Sequence, residues 1–217
     1  MISLERIPGP LAPVYEKAAR LAIETYYRPT AEEITARFNA GLLLDIGAGP
    51  GYLPIEIARR LPAARVVCLD LSRQLIQRAR RNAQSAGVAD RLEFIVGHAA
   101  VTPFEDDRFD MVISTGVLHS LRDPQAFFFE VRRVLKKNAQ AWVYDPARVS
   151  GHIDVDRWKK SLTLRERFFL WLFKRIRIYK EATPLKKRQV EEMLVKTGFD
   201  GVDIETTRHE IRIRLQK

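Results

Sequence analysis

The 217-residue chain has one cysteine, Cys68. This excludes a disulfide framework, a cysteine-rich metal centre and chemistry relayed between two thiols, and a reducing, cytoplasmic compartment is expected. No metal site is expected either. No apolar run approaches the roughly 18–20 residues of a membrane span, and Met1 to Pro13 holds no apolar core of signal-peptide length. Internal repeats and low-complexity linkers are lacking, so a single domain over 1–217 is expected.

One fingerprint is nearly present, and its deviation is informative. Leu42-Leu43-Leu44-Asp45-Ile46 reads as a buried strand that ends in a carboxylate and runs into Gly47-Ala48-Gly49-Pro50-Gly51. The glycines fall as G-x-G-x-G, and Tyr52 stands where the dinucleotide fingerprint G-x-G-x-x-G has its third glycine. Pro50 removes one N–H from a loop that would need its donors for a pyrophosphate. Asp45 would face phosphate charge, but it suits a cationic amino group. A second apolar run, Val66-Val67-Cys68-Leu69, ends in Asp70, whose carboxylate can accept from both hydroxyls of a ribose. The pair of acids favours S-adenosylmethionine over a nicotinamide cofactor. A nicotinamide-dependent oxidoreductase remains as a rival reading, with Tyr52 and Asp45 against it.

Hydrophobic patterning predicts helical structure over about 14–38, broken by Pro29, and then strands and helices in alternation. Strands are expected at 42–46, 65–70, 92–96, 109–114 and 140–145. Helices are expected at 52–61, 72–86 and 124–136, the last opened by Asp123-Pro124. Such alternation argues for a parallel, doubly wound sheet. A helix over about 186–197 ends at Gly198, and 201–206 and 209–215 can pair as an antiparallel hairpin.

From about residue 41 to 146 the chain resembles the class I S-adenosylmethionine-dependent methyltransferases, close in pattern to their small-molecule, quinone-type branch. The resemblance rests on five stretches in order: Leu43 to Gly51; Leu69-Asp70-Leu71-Ser72; Phe109-Asp110-Met111-Val112-Ile113-Ser114; Gly116-Val117-Leu118-His119-Ser120-Leu121; and Val131 to Lys136 with Ala141-Trp142-Val143-Tyr144-Asp145. It implies a Rossmann-like three-layer α/β sandwich, with a seven-stranded, mostly parallel sheet whose last strand is antiparallel. It also implies S-adenosylmethionine as cofactor.

Within that frame Gly47, Gly49 and Gly51 would let backbone approach the ligand. Asp45 would orient the methionine amino group, Asp70 would hold the ribose, and Leu71 would lie against adenine. Ser114 ends the fourth strand at the mouth of the sheet. The clearest departure is Gly97-His98-Ala99, where the related pattern has Gly-Asp-Ala and the acid accepts from the adenine amino group. A neutral imidazole accepts at one nitrogen only, so an adenine contact at His98 and Ala99 depends on the tautomer. A second departure, Lys137-Asn138-Ala139 in place of Pro-Gly-Gly, is read as structural, since asparagine tolerates left-handed geometry. His119 is the candidate proton acceptor, and Tyr15 joins it from an N-terminal helical cap over 1–40. Methyl transfer is a direct displacement that alignment alone can accelerate, so a base is not obligatory. No Asp/Asn-Pro-Pro-aromatic motif follows the fourth strand, which weighs against methylation of amino groups on nucleic-acid bases.

Residues 151–190 hold twelve Lys/Arg against four Asp/Glu, which accounts for +8 of the chain's net +10. Inside lies Phe168-Phe169-Leu170-Trp171-Leu172-Phe173. A basic, apolar helical lid over 150–185 is expected, above a small, apolar acceptor, with peripheral membrane contact through 158–178. Nucleic acid ranks lower, because contiguous apolar aromatics do not make a spaced stacking platform. Two further alternatives stand: an RNA methyltransferase, and a catalytically silent cofactor binder acting at a membrane or protein partner. Both Tyr15 and the 158–178 segment are expected near the Gly47 loop.

Overall fold

The structure, a computed structural model, describes residues 5–146, 155–175, 185–207 and 210–217. Seven strands form one sheet: β1 (Gly41–Ile46), β2 (Ala64–Asp70), β3 (Leu92–Val96), β4 (Phe109–Thr115), β5 (Leu135–Pro146), β6 (Gly201–Thr206) and β7 (Glu210–Gln216). Their order is β3-β2-β1-β4-β5-β7-β6, and β7 alone runs antiparallel to its neighbours. The chain therefore reverses direction across the sheet between β1 and β4, and the crevice outside that point is where open α/β sheets bind ligands.

Alternation along the strands fills two layers. Leu43, Val66 and Cys68 pack on one face with Ile34, Leu53, Ile57 and Ala83. Leu44, Ile46, Val67 and Leu69 pack on the other with Phe127, Phe128, Val131, Val190 and Leu194. Side chains on a strand point alternately to opposite faces, so an apolar run with no polar break requires cover on both. That cover comes from α1 (Ala12–Leu21), α2 (Arg28–Thr35), α3 (Tyr52–Arg60), α4 (Arg73–Ser85), α5 (Pro124–Val134) and α8 (Lys187–Leu194), with α6 (Val155–Ser161) and α7 (Leu164–Arg175) against α1. Gly87, at φ +70°, closes α4, and the Val88 N–H donates back to the Ala83 carbonyl.

Three local expectations are corrected. Pro29 does not break the N-terminal helix: α1 passes through one wider turn, Ile23–Tyr27, directly into α2. Pro29 lies in the first turn of α2, directly after the wider turn, which accommodates a residue that cannot donate. Helix α5 ends at Val134, two residues early, and β5 begins at Leu135 rather than 140. The register of β5 on β4 shifts between Phe109 and Met111, and Asn138 at φ +61° turns the intervening chain outward. Asn138 therefore has the left-handed geometry its side chain suggests. The Asp123 carboxylate caps α5 by accepting from the Ala126 N–H at 2.9 Å, as its place before Pro124 implies.

Candidate active site

The site lies at the carboxyl ends of β1, β2 and β4. Gly47 takes φ +83°, and a Cβ there would sit 2.0 Å from Val117 Cγ2. Only glycine lets the loop leave β1 at this angle and pass beneath the segment that follows β4. Gly51, at φ +82°, opens α3, and a Cβ there would come within 2.9 Å of Ala79 Cβ on α4. Gly49 is covered by Tyr15, whose Cε1 lies 3.5 Å from where its Cβ would be. The cap helix and the glycine loop are thus in contact, as expected.

Asp45 is 1% exposed, and neither of its carboxylate oxygens has a hydrogen-bond partner. Burial, reinforced by the nearby Asp70 carboxylate, pushes its pKa up to about 8. A buried acid with no donor is costly on its own, and a cationic amino group supplies the missing charge and donors together. Asp70 is organised differently. Its Oδ2 accepts from the Gly49 N–H at 2.9 Å and its Oδ1 from the Ser72 N–H at 2.7 Å. Burial raises its pKa in spite of these two bonds. Each oxygen keeps a further lone pair, so the carboxylate is tied to the loop while still able to accept from a diol. These residues fit an adenosyl ligand with an amino-acid tail. They do not offer the unobstructed row of N–H donors that a pyrophosphate needs.

Other expected residues are placed as follows. Leu71 is half-buried beside Asp70, and Ala99 is buried at the end of β3. Ser114 is fully buried, and its hydroxyl donates to the Ile46 carbonyl at 2.8 Å, tying β4 to β1. His98 has both nitrogens engaged. Its Nδ1 accepts from the Ala100 N–H at 3.1 Å, and its Nε2 lies 3.2 Å from Glu5 Oε2. With Nδ1 as the acceptor, Nε2 carries the proton, so this ring has no lone pair to offer adenine.

His119 lies on the turn after β4, and its Nδ1 is 2.9 Å from Asp145 Oδ1. The same oxygen is 3.3 Å from the His119 backbone N–H. Asp145, at the tip of β5, is 1% exposed, and its Oδ2 has no partner. It was not singled out from the sequence as a functional residue, although it carries the same signal as Asp45 and Asp70, a carboxylate closing an apolar strand. Tyr27 ends the wider turn between α1 and α2. Burial and the neighbouring Tyr15 and Asp45 hold its phenol well above the usual range, so it stays neutral beside Asp45.

The described part of the 158–178 segment packs on α1, the helix that carries Tyr15. Trp158 Nε1 donates to the Val14 carbonyl at 3.2 Å, next to Tyr15, and Lys17 pairs with Glu166 at 2.7 Å. Residues 176–178, and the parts of the expected lid at 150–154 and 176–184, lie outside the described residues. A separate cleft of about 670 Å³, between Asp106, Arg133 and Lys217, lies at the opposite ends of the strands.

A glycine loop between two strand-end acids, on a sheet of this order, defines the class. Residues 44–143 match the family model described as a methyltransferase domain, and the strand order is that of the class I, S-adenosylmethionine-dependent methyltransferase fold. Among curated proteins it is similar to the ubiquinone/menaquinone biosynthesis C-methyltransferase of Paracoccus denitrificans, with 36% identity over 104 residues, covering 48% of this chain and 41% of that protein. It is also similar to the malonyl-[acyl-carrier protein] O-methyltransferase of Geobacter sulfurreducens, with 38% identity over 93 residues, covering 43% and 34%. The chain therefore spans less than half the length of these relatives. A crystal structure of a SAM-dependent methyltransferase from Aquifex aeolicus superposes with a TM-score of 0.70 at 15% identity, covering 97% of this chain and 99% of that one, which shows the shared fold.

Proposed function

We propose that the protein methylates a small, apolar acceptor that carries an ionisable proton, with S-adenosylmethionine as donor. The observation that carries this reading is the unpartnered, buried Asp45 carboxyl beside the Asp70-held glycine loop. Asp45 would bind the amino group of the donor, Asp70 its ribose, and Gly47 to Gly51 its tail. The bound group supplies a methyl activated on a sulfonium. The chain then has two tasks: alignment within a water-poor pocket, and removal of the acceptor's proton. Tyr15 and the cap exclude water above the loop. His119 would take the proton at Nε2, because Asp145 occupies Nδ1 and stabilises the imidazolium that results.

Both curated relatives are named as methyltransferases, one for carbon in ubiquinone/menaquinone biosynthesis and one for oxygen in a malonyl carrier. A phenol or enol suits a histidine acceptor and lies between those two chemistries. Calorimetric titration with S-adenosylmethionine and S-adenosylhomocysteine, followed by methyl transfer to a panel of apolar phenols, tests the proposal. Cofactor binding that survives Asp70→Ala, or turnover of no acceptor at all, would defeat it. The second result would favour a silent binder.

A second element of the reading concerns location. Among the described residues no helix is long and apolar enough to cross a membrane. On α7, Leu164, Phe168 and Trp171 are 84%, 54% and 55% exposed and follow at i, i+4 and i+7. The opposite face, Phe169 and Leu170, packs on Leu11, Val14 and Leu162. An apolar stripe edged by Lys159, Lys160, Arg165 and Arg167 matches an anionic lipid surface. Co-sedimentation with phosphatidylglycerol vesicles, lost in Phe168→Glu/Trp171→Glu, supports this; equal binding by that variant refutes it.

A further inference from the structure

The residues before α1 cross the adenosine end of the site. At Gly9 a Cβ would touch Gln74 at 3.0 Å, in the first turn of α4 and directly after the Asp70-Leu71-Ser72 stretch. Four residues earlier, Glu5 is held at two points. Its Oε1 accepts from the Arg122 N–H at 2.7 Å, in the loop before α5, and its Oε2 lies 3.2 Å from His98 Nε2, beyond β3. The segment therefore spans the mouth bounded by the ends of β2 and β3 and the turn after β4. It carries a carboxylate, 15% exposed, into that mouth.

The edge of an adenine presents an exocyclic amino group, which needs an acceptor when water is excluded. His98 cannot be that acceptor, since Nδ1 takes the Ala100 N–H and Nε2 carries the proton. Glu5 can, because each of its oxygens uses one lone pair on its anchor and keeps another. Resting on the cofactor reading above, we propose that Glu5 is the acceptor that reads the adenine amino group, and that His98 is a positioning residue that holds the Glu5 carboxylate in place. The N-terminal segment is then part of the cofactor site, and its docking and cofactor binding favour one another. The Arg122 and His98 contacts hold the Glu5 carboxyl below the usual carboxylate range despite its partial burial, so it is anionic at neutral pH.

The test compares S-adenosylhomocysteine with S-inosylhomocysteine, in which a carbonyl oxygen replaces the amino group. A hydrogen bond to a charged acceptor predicts that the full-length wild type favours the adenosyl ligand by about tenfold to hundredfold. Glu5→Gln keeps an oxygen for the Arg122 N–H but loses the charge, and most of that preference should disappear. Tryptic cleavage after Arg6 reports whether the segment stays docked. A preference that falls while Arg6 remains protected establishes the assignment. Equal loss for both ligands, or no change for either, overturns it. Failure of the wild type to bind S-adenosylhomocysteine would instead remove the cofactor reading itself, and Glu5 with it.

Discussion

Asp145 Oδ1 is 2.9 Å from His119 Nδ1, and the carboxylate is buried at the tip of β5. The bond selects the tautomer that leaves Nε2 with its lone pair. Neither residue does this alone, and strand β5 places one beside the turn that carries the other.

The dyad makes the first prediction. His119→Ala should lower kcat by about 100-fold or more if proton removal accompanies methyl transfer. Asp145→Asn should give a smaller loss in kcat with cofactor affinity unchanged. A kcat that is flat across both variants would return the rate to alignment alone.

Asp45 predicts a proton balance. Its pKa of about 8 in the free protein means that the carboxyl is mostly protonated at pH 7, and pairing with an ammonium group ionises it. Binding of S-adenosylhomocysteine at pH 7 should release close to one proton. Titrations in buffers of different ionisation enthalpy measure this, and Asp45→Asn should abolish it.

The same residue predicts a pH dependence of stability. A folded pKa raised above the free value of about 3.9 means that the unfolded chain gives up this proton first. Asp45 is therefore neutral to stability below about pH 4, and its contribution becomes steadily less favourable as pH rises towards about 8. Without cofactor, Asp45→Asn should match the wild type in Tm at pH 4 and exceed it by about 2 °C or more at pH 8.

Gly47 and Val117 make a steric prediction. Gly47→Ala puts a Cβ 2.0 Å from Val117 Cγ2 at a backbone angle of φ +83°. It should cost about 2–4 kcal/mol in denaturant unfolding, combining left-handed strain with overpacking. Adding Val117→Ala should recover the overpacking share and leave the strain.

Cys68 is fully buried in β2, and burial raises its thiol well above the usual range. It should resist thiol reagents in the native protein and react fully after unfolding.

Much of this was legible in the linear chain because it depends on periodicity and punctuation. Leu42 to Leu44 and Val66 to Leu69 place apolar side chains on both faces, which only a covered parallel strand tolerates. The glycine loop and the acids Asp45 and Asp70 sit at the ends of those runs, so their meeting at one end of the sheet followed from local order. Asn138 and Asp123 declared their geometry through their own side chains. Contacts between distant segments had no such mark. Glu5 meets His98 across 93 residues, and His119 meets Asp145 across 26. The exposed stripe of α7 became visible only once its other face was seen against α1. Side-chain type and spacing decide which strands and loops form, because those are set by short-range sterics and burial. Which nitrogen of a histidine is free, and which carboxylate is left without a donor, depends on neighbours that only the closed sheet and its caps bring together.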